Sequence, residues 1–90
     1  MKIEVGSVVR SKAGRDKGDL FIVLAVDGNY VYMANGDLRK VDKPKKKKIK
    51  HLQCSQTVSE FIANKLRTAG KVTNSELRKA LAQVGGNDNG

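Results

Sequence analysis

The sequence predicts a mainly β fold with an α appendage: a small barrel of about five strands followed by two short helices. Three observations predict it. Short apolar segments, several rich in β-branched residues, alternate with turn signals through the first half of the chain. A helical period of apolar residues appears only after Cys54. The chain has 90 residues, no Trp, two Tyr and two Phe, which suits one small domain with a modest core. The expected organisation is a barrel over 1–54 and a two-helix extension over 55–90.

Each element has its own signal. Residues 7–13 form a first strand around Val8-Val9. Ala13-Gly14-Arg15-Asp16-Lys17-Gly18 is a turn, with glycines where positive φ is required. Leu20 to Val26 is a continuous apolar run of strand length. Asp27-Gly28-Asn29 is a hairpin signal, Asp-Gly suiting a type I′ turn. Tyr30-Val31-Tyr32-Met33-Ala34 alternates, one face for the core and one more exposed. Asn35-Gly36-Asp37 reads as a second hairpin turn and Leu38-Arg39-Lys40-Val41 as a short fourth strand. Pro44 interrupts pairing or marks a sheet edge. Lys48 to Leu52 is the expected last strand. Thr57 and Glu60 are spaced as a capping box for a first helix that Gly70 stops. Thr73 and Glu76 form a second box. Gly85-Gly86 should end the second helix, leaving 87–90 as a frayed tail.

Charge is distributed unevenly. The net charge is +9, and residues 1–52 carry 13 Lys/Arg against 6 Asp/Glu, or +7. The segment from Lys43 to Lys50 contains six lysines and no acid. Such a field attracts polyanions, nucleic acid first and an anionic membrane surface second. No apolar run approaches a membrane span, and no amphipathic aromatic anchor accompanies the lysines. The first residues lack the pattern of a secretory signal, so a cytoplasmic setting is expected. One Cys (Cys54) and one His (His51) exclude an intramolecular disulfide and a Cys/His zinc site. No cofactor or metal is expected. No catalytic constellation and no nucleotide-triphosphatase phosphate loop are present, so the expectation is a non-enzyme. The aspartates fall mostly in or beside turns, where they have local hydrogen-bonding roles.

One motif gathers these signals. Gly6, Val8-Val9, Gly14, Asp16-Lys17-Gly18 and the apolar strand after them resemble the KOW motif of ribosomal proteins and transcription elongation factors. Phe21 stands where many KOW motifs have a further glycine. That departure, together with Lys45-Lys46-Lys47-Lys48-Ile49-Lys50-His51-Leu52, makes the chain more similar to the archaeal and eukaryotic large-subunit ribosomal family labelled fourteen-e. It is also very similar to bacterial proteins called KOW-domain RNA-binding proteins. The resemblance covers residues 1 to about 55. It implies an SH3-like barrel and a ribosomal or other structured RNA partner, hence a role in translation.

The expected RNA-binding residues are Arg10, Lys12, Gly14, Arg15, Lys17, Gly18, Arg39, Lys40, Lys43, Lys45, Lys46, Lys47, Lys48, Lys50 and His51. Backbone N–H groups and lysine heads on the glycine turn would meet phosphate oxygens together. The first turn and the 39–50 segment are expected to share one rim. Tyr30 and Tyr32 share a strand face; the favoured reading has them covering the core, the other has them stacking on unpaired bases. The alternative function is a protein-interaction module of the transcription or translation machinery, using the barrel or the helices over 57–84. DNA binding by the two helices as a helix-turn-helix is weaker, since the second helix offers only Arg78 and Lys79.

Overall fold

The computed structural model describes residues 3–87. In chain order these form β1 (Ser7–Ser11), β2 (Leu20–Asp27), β3 (Tyr30–Ala34), β4 (Lys45–Lys48), a 3-10 turn (Ile49–His51), β5 (Leu52–Val58), α1 (Glu60–Ala69) and α2 (Asn74–Asn87). The strands make one antiparallel sheet in the order β4-β3-β2-β1-β5. β4 and β5 are its two edges. Among the described residues no ladder joins them, so the sheet is not closed on itself.

The first three strands lie close to where the sequence puts them, β1 ending at Ser11 and not at residue 13. The fourth does not. Residues 38–41 make no strand; Asn35 closes a loop instead, its side chain accepting from the N–H groups of Asp37 (3.1 Å) and Arg39 (2.9 Å). The fourth strand is the lysine run, with Lys48 opposite Tyr30, Lys47 opposite Val31, Lys46 opposite Tyr32 and Lys45 opposite Met33. Lysine has weak strand propensity, but cross-strand pairing overrides it, and lysines suit an edge because they discourage a further strand from adding. Pro44 sits immediately before this edge strand. Ile49–His51, expected in the last strand, turn as a 3-10 segment, and the last strand runs from Leu52 to Val58. The boundary expected after residue 54 therefore falls inside β5.

The β2–β3 turn also departs from expectation. Gly28 has φ +60°, whereas Asn29 is not in the positive region. A type I′ turn needs positive φ at both; glycine first with a normal second residue is the type II′ pattern.

The sheet has two apolar faces. On one, Val9, Phe21, Val23, Val31, Met33 and Leu52 are buried together, with Ile49 and Cys54 packed against them. On the other, Val8, Ile22 and Ala34 are buried against Ile62, Val72 and Leu77 of the helical segment. The two helices therefore share a core with the sheet. Neither is long enough to be stable alone in water, and this face supplies the burial that stabilises them. Gly6 permits their close approach. Its φ is +92°, and a Cβ there would come 2.7 Å from the Ala63 Cβ.

Ser59, not Thr57, caps α1: its hydroxyl accepts from the Ile62 N–H at 3.3 Å. Thr57 cannot cap because the chain is still in β5 there. Gly70 ends α1 in the left-handed region, as expected. The second capping box forms reciprocally, with Thr73 N–H donating to Glu76 Oε1 (2.8 Å) and Glu76 N–H to Thr73 Oγ1 (3.1 Å). Gly85 and Gly86 do not terminate α2, which continues through Asn87. The rest of the expected tail, 88–90, lies outside the described residues.

Candidate nucleic-acid interface

Strand alternation divides the lysine run into two sets. Directly paired residues of antiparallel strands lie on the same face. Lys45 and Lys47 therefore share the face of Met33 and Val31, the buried interior. Lys46 and Lys48 share the opposite face with Tyr32 and Tyr30.

The inward pair is held by the glycine turn. Lys47 is 8% exposed. Its ammonium donates to the Ala13 carbonyl at 2.8 Å and to Asp16 Oδ1 at 2.9 Å. Ser11 Oγ donates to the same Asp16 oxygen at 2.8 Å. Asp16 Oδ2 makes no hydrogen bond; the Lys45 ammonium 3.4 Å away supplies charge alone. Burial pushes the Asp16 carboxyl up, but hydrogen bonds from Lys47 and Ser11, with the charges of Lys47 and Lys45, outweigh it and hold the pKa at about 2. Asp16 is thus more than a local turn residue: it ties the turn between β1 and β2 to β4.

The turn's own backbone is largely committed. Lys17 N–H donates to the Gly14 carbonyl (3.2 Å), Gly18 N–H to the Ser11 carbonyl (2.9 Å) and Asp19 N–H to the Asp16 carbonyl (2.9 Å). Arg10 Nη1 donates to the Gly18 carbonyl at 2.6 Å. Gly14 and Gly18 do adopt positive φ, +87° and +91°. Their hydrogen bonds shape the turn; those three N–H groups do not point to a ligand. Arg15 and Lys17 remain exposed on it.

The first turn and the later basic segment do come together. Arg15, Asp16 and Phe21 line one cleft of about 230 Å³ with Leu38, Arg39 and Lys45. Lys12 N–H donates to the His51 carbonyl at 2.9 Å, which brings exposed Lys12 beside exposed Lys50 and His51. Lys40 and Lys43 are exposed on the loop before β4. Of the residues singled out from the sequence, Lys47 alone among the lysines is buried; Lys45 and Arg10 are partly engaged.

The outward pair makes a different surface. The Lys46 ammonium lies 4.7 Å from the Tyr30 ring centre and 5.9 Å from that of Tyr32. Lys48 lies 5.9 Å from the Tyr30 ring centre. Contacts of this kind contribute about 0.5–1 kcal/mol at exposed sites. The tyrosines are half-buried and face away from the Val31–Met33 core. Beside them is a cavity of about 500 Å³ lined by Asn29, Tyr30, Lys48, Ile49 and Lys50.

The helices contribute differently from the helix-turn-helix reading. Arg78 Nη1 donates to the Gly36 carbonyl at 2.6 Å, and Asn74 Oδ1 accepts from the Val41 N–H at 2.8 Å. These bonds strap the 35–43 loop to α2, so Arg78 is engaged by the protein itself. Lys65 bonds Glu76 Oε2 at 2.7 Å, joining the helices. The hydrogen bonds from Lys65 and the Thr73 backbone hold the Glu76 carboxyl below its ordinary value.

Among the described residues no group of three His, Cys, Asp or Glu comes together to hold a metal. No helix among them is long and apolar enough to cross a membrane. The chain matches no protein-family model and no curated protein.

Proposed function

We propose that this protein is a non-enzymatic RNA-binding module, an SH3-like barrel of the KOW type acting on ribosomal RNA or the ribosome. The observation that carries the reading is the basic rim. Exposed Arg15 on the first turn lines a cleft with Arg39, exposed Lys17 sits on the same turn, and exposed Lys40, Lys43 and Lys50 follow along the chain. Lysine ammoniums suit phosphate oxygens as point charges, and arginines add bidentate contacts. A surface of this composition docks on backbone and shape. The Asp16 clamp supports this by fixing the turn that carries Arg15 and Lys17 against β4.

The experiment is RNA binding as a function of salt. A structured ribosomal RNA fragment should bind with a steep negative slope of log affinity on log salt. Replacing Arg15, Lys17, Lys40 and Lys43 together by Gln should weaken binding and flatten that slope. An unchanged slope with a folded variant refutes the reading.

The second reading, a protein-interaction module, has one favouring observation: Leu38 is 72% exposed and Phe61 on α1 is 57% exposed. Against it, most of the apolar stripes of α1 and α2 already pack on the sheet. Nuclease treatment separates the two. Association with ribosomal particles should vanish for an RNA tether and persist for a protein contact.

A further inference from the structure

We propose that the outer face of β3 and β4 is a second RNA site, one that takes unpaired bases of a single-stranded segment between Tyr30, Tyr32, Lys46 and Lys48. This rests on the RNA-binding reading and adds the class of RNA that this face selects. Strand register places the four side chains together. Tyr30 and Tyr32 lie on one face, two residues apart, and each is paired directly with a lysine. The rings do not cover the interior, because Val31 and Met33 fill it. The same side of the sheet is covered by α1 and α2 at Val8, Ile22 and Ala34, and that buried cluster does not extend to the two tyrosines.

The charge arrangement selects the occupant. Each ammonium lies over an aromatic ring, where it can turn from the ring to a nearby anion. A base that stacks on a ring displaces this weak contact, and the freed ammonium meets the flanking phosphate. Aromatic platforms beside cations bind single strands with little sequence preference. A duplex keeps its bases stacked inside and offers only phosphates to such a face. The nearby cavity, with Lys48, Lys50 and the Asn29 side of the hairpin, gives space for an adjoining nucleotide. Asp27, opposite Tyr30 on this face, is the acid that borders the patch.

The two tyrosines are the only ones in the chain, and there is no Trp. Tyrosine ring resonances in NMR spectra therefore report on this patch alone. The test titrates the intact protein with a twelve-nucleotide single-stranded RNA of mixed sequence and, separately, with the same strand in a duplex. The single strand should shift the ring protons of both tyrosines upfield, and the duplex should leave them near their starting positions. Tyr30→Ala with Tyr32→Ala should weaken single-strand binding at least about tenfold while changing duplex affinity less than about twofold. Tyr30→Phe with Tyr32→Phe should retain affinity, since the ring stays.

Duplex binding that is lost with single-strand binding, or ring shifts equal for both RNAs, overturns the proposal. So do ring shifts seen only with a proline-rich peptide, which would make the face a peptide site. If single-strand affinity survives the alanine pair and duplex binding keeps its salt slope, this site falls and the phosphate-docking reading stands. If the unaltered protein binds neither RNA, both fall.

Discussion

Lys45 and Lys47 differ from Lys46 and Lys48 by one step along the same strand, yet the two pairs live in different physical environments. The inward pair faces a carboxylate with pKa about 2 and holds a turn to an edge strand. The outward pair lies over tyrosine rings in reach of solvent and any polyanion. The period of two in a β-strand makes this separation. Equal residue types in an unbroken charged run thus carry unequal consequences for stability and for binding.

The largest expected difference is in stability. Lys47→Ala removes the buried partner of Asp16 and leaves that carboxylate only the Ser11 hydroxyl and the more distant Lys45 charge, so it should cost about 3 kcal/mol. Lys46→Ala and Lys48→Ala should each cost less than about 1 kcal/mol, the scale of an exposed cation–π contact. Urea unfolding of the three variants checks this, and similar costs for Lys46 and Lys47 would mean that the two environments do not differ in energy.

Acid should act through the inward pair next. The Asp16 carboxyl is lowered in the folded state, so its contribution is present above its unfolded pKa near 4. It is lost as pH falls toward about 2, a loss of about 2 kcal/mol. Glu76, lowered by Lys65, adds to the same acid sensitivity. Asp16→Asn should therefore show a flatter fall in stability between pH 4 and pH 2 than the unaltered protein. A parallel pair of curves would mean that the clamp contributes nothing. Lys45→Ala, which removes charge but no hydrogen bond from Asp16, should cost less than Lys47→Ala, about 1 kcal/mol in the same unfolding assay.

Much of the fold was legible because its signals are local. The apolar run of β2, the alternation of β3, the Thr73–Glu76 box and the Gly70 stop each act within a few residues. Sequence and structure part where partners are distant. Nothing within residues 38–48 says which four residues pair with β3; that follows from the length of the loop strapped to α2 by Asn74 and Arg78. Thr57 has the spacing of a capping box, but β5 extends through it to pair with β1. From the sequence the candidate site reads as one basic rim. The pairing of Lys45–Lys48 with Tyr30–Met33 is long-range, and it sets Lys47 opposite Val31 and sends it inward. The same alignment moves the tyrosines from covering the core to the outer face.

On the proposed reading the outward lysines bind RNA while the inward ones hold the fold. The salt dependence of RNA binding for Lys46→Ala with Lys48→Ala, beside the melting curve of the same variant, separates these two roles. The slope should fall by about 1–2 in magnitude, and the melting temperature should stay close to that of the unaltered protein. An unchanged slope, or a slope that falls only because the protein has unfolded, would contradict that reading.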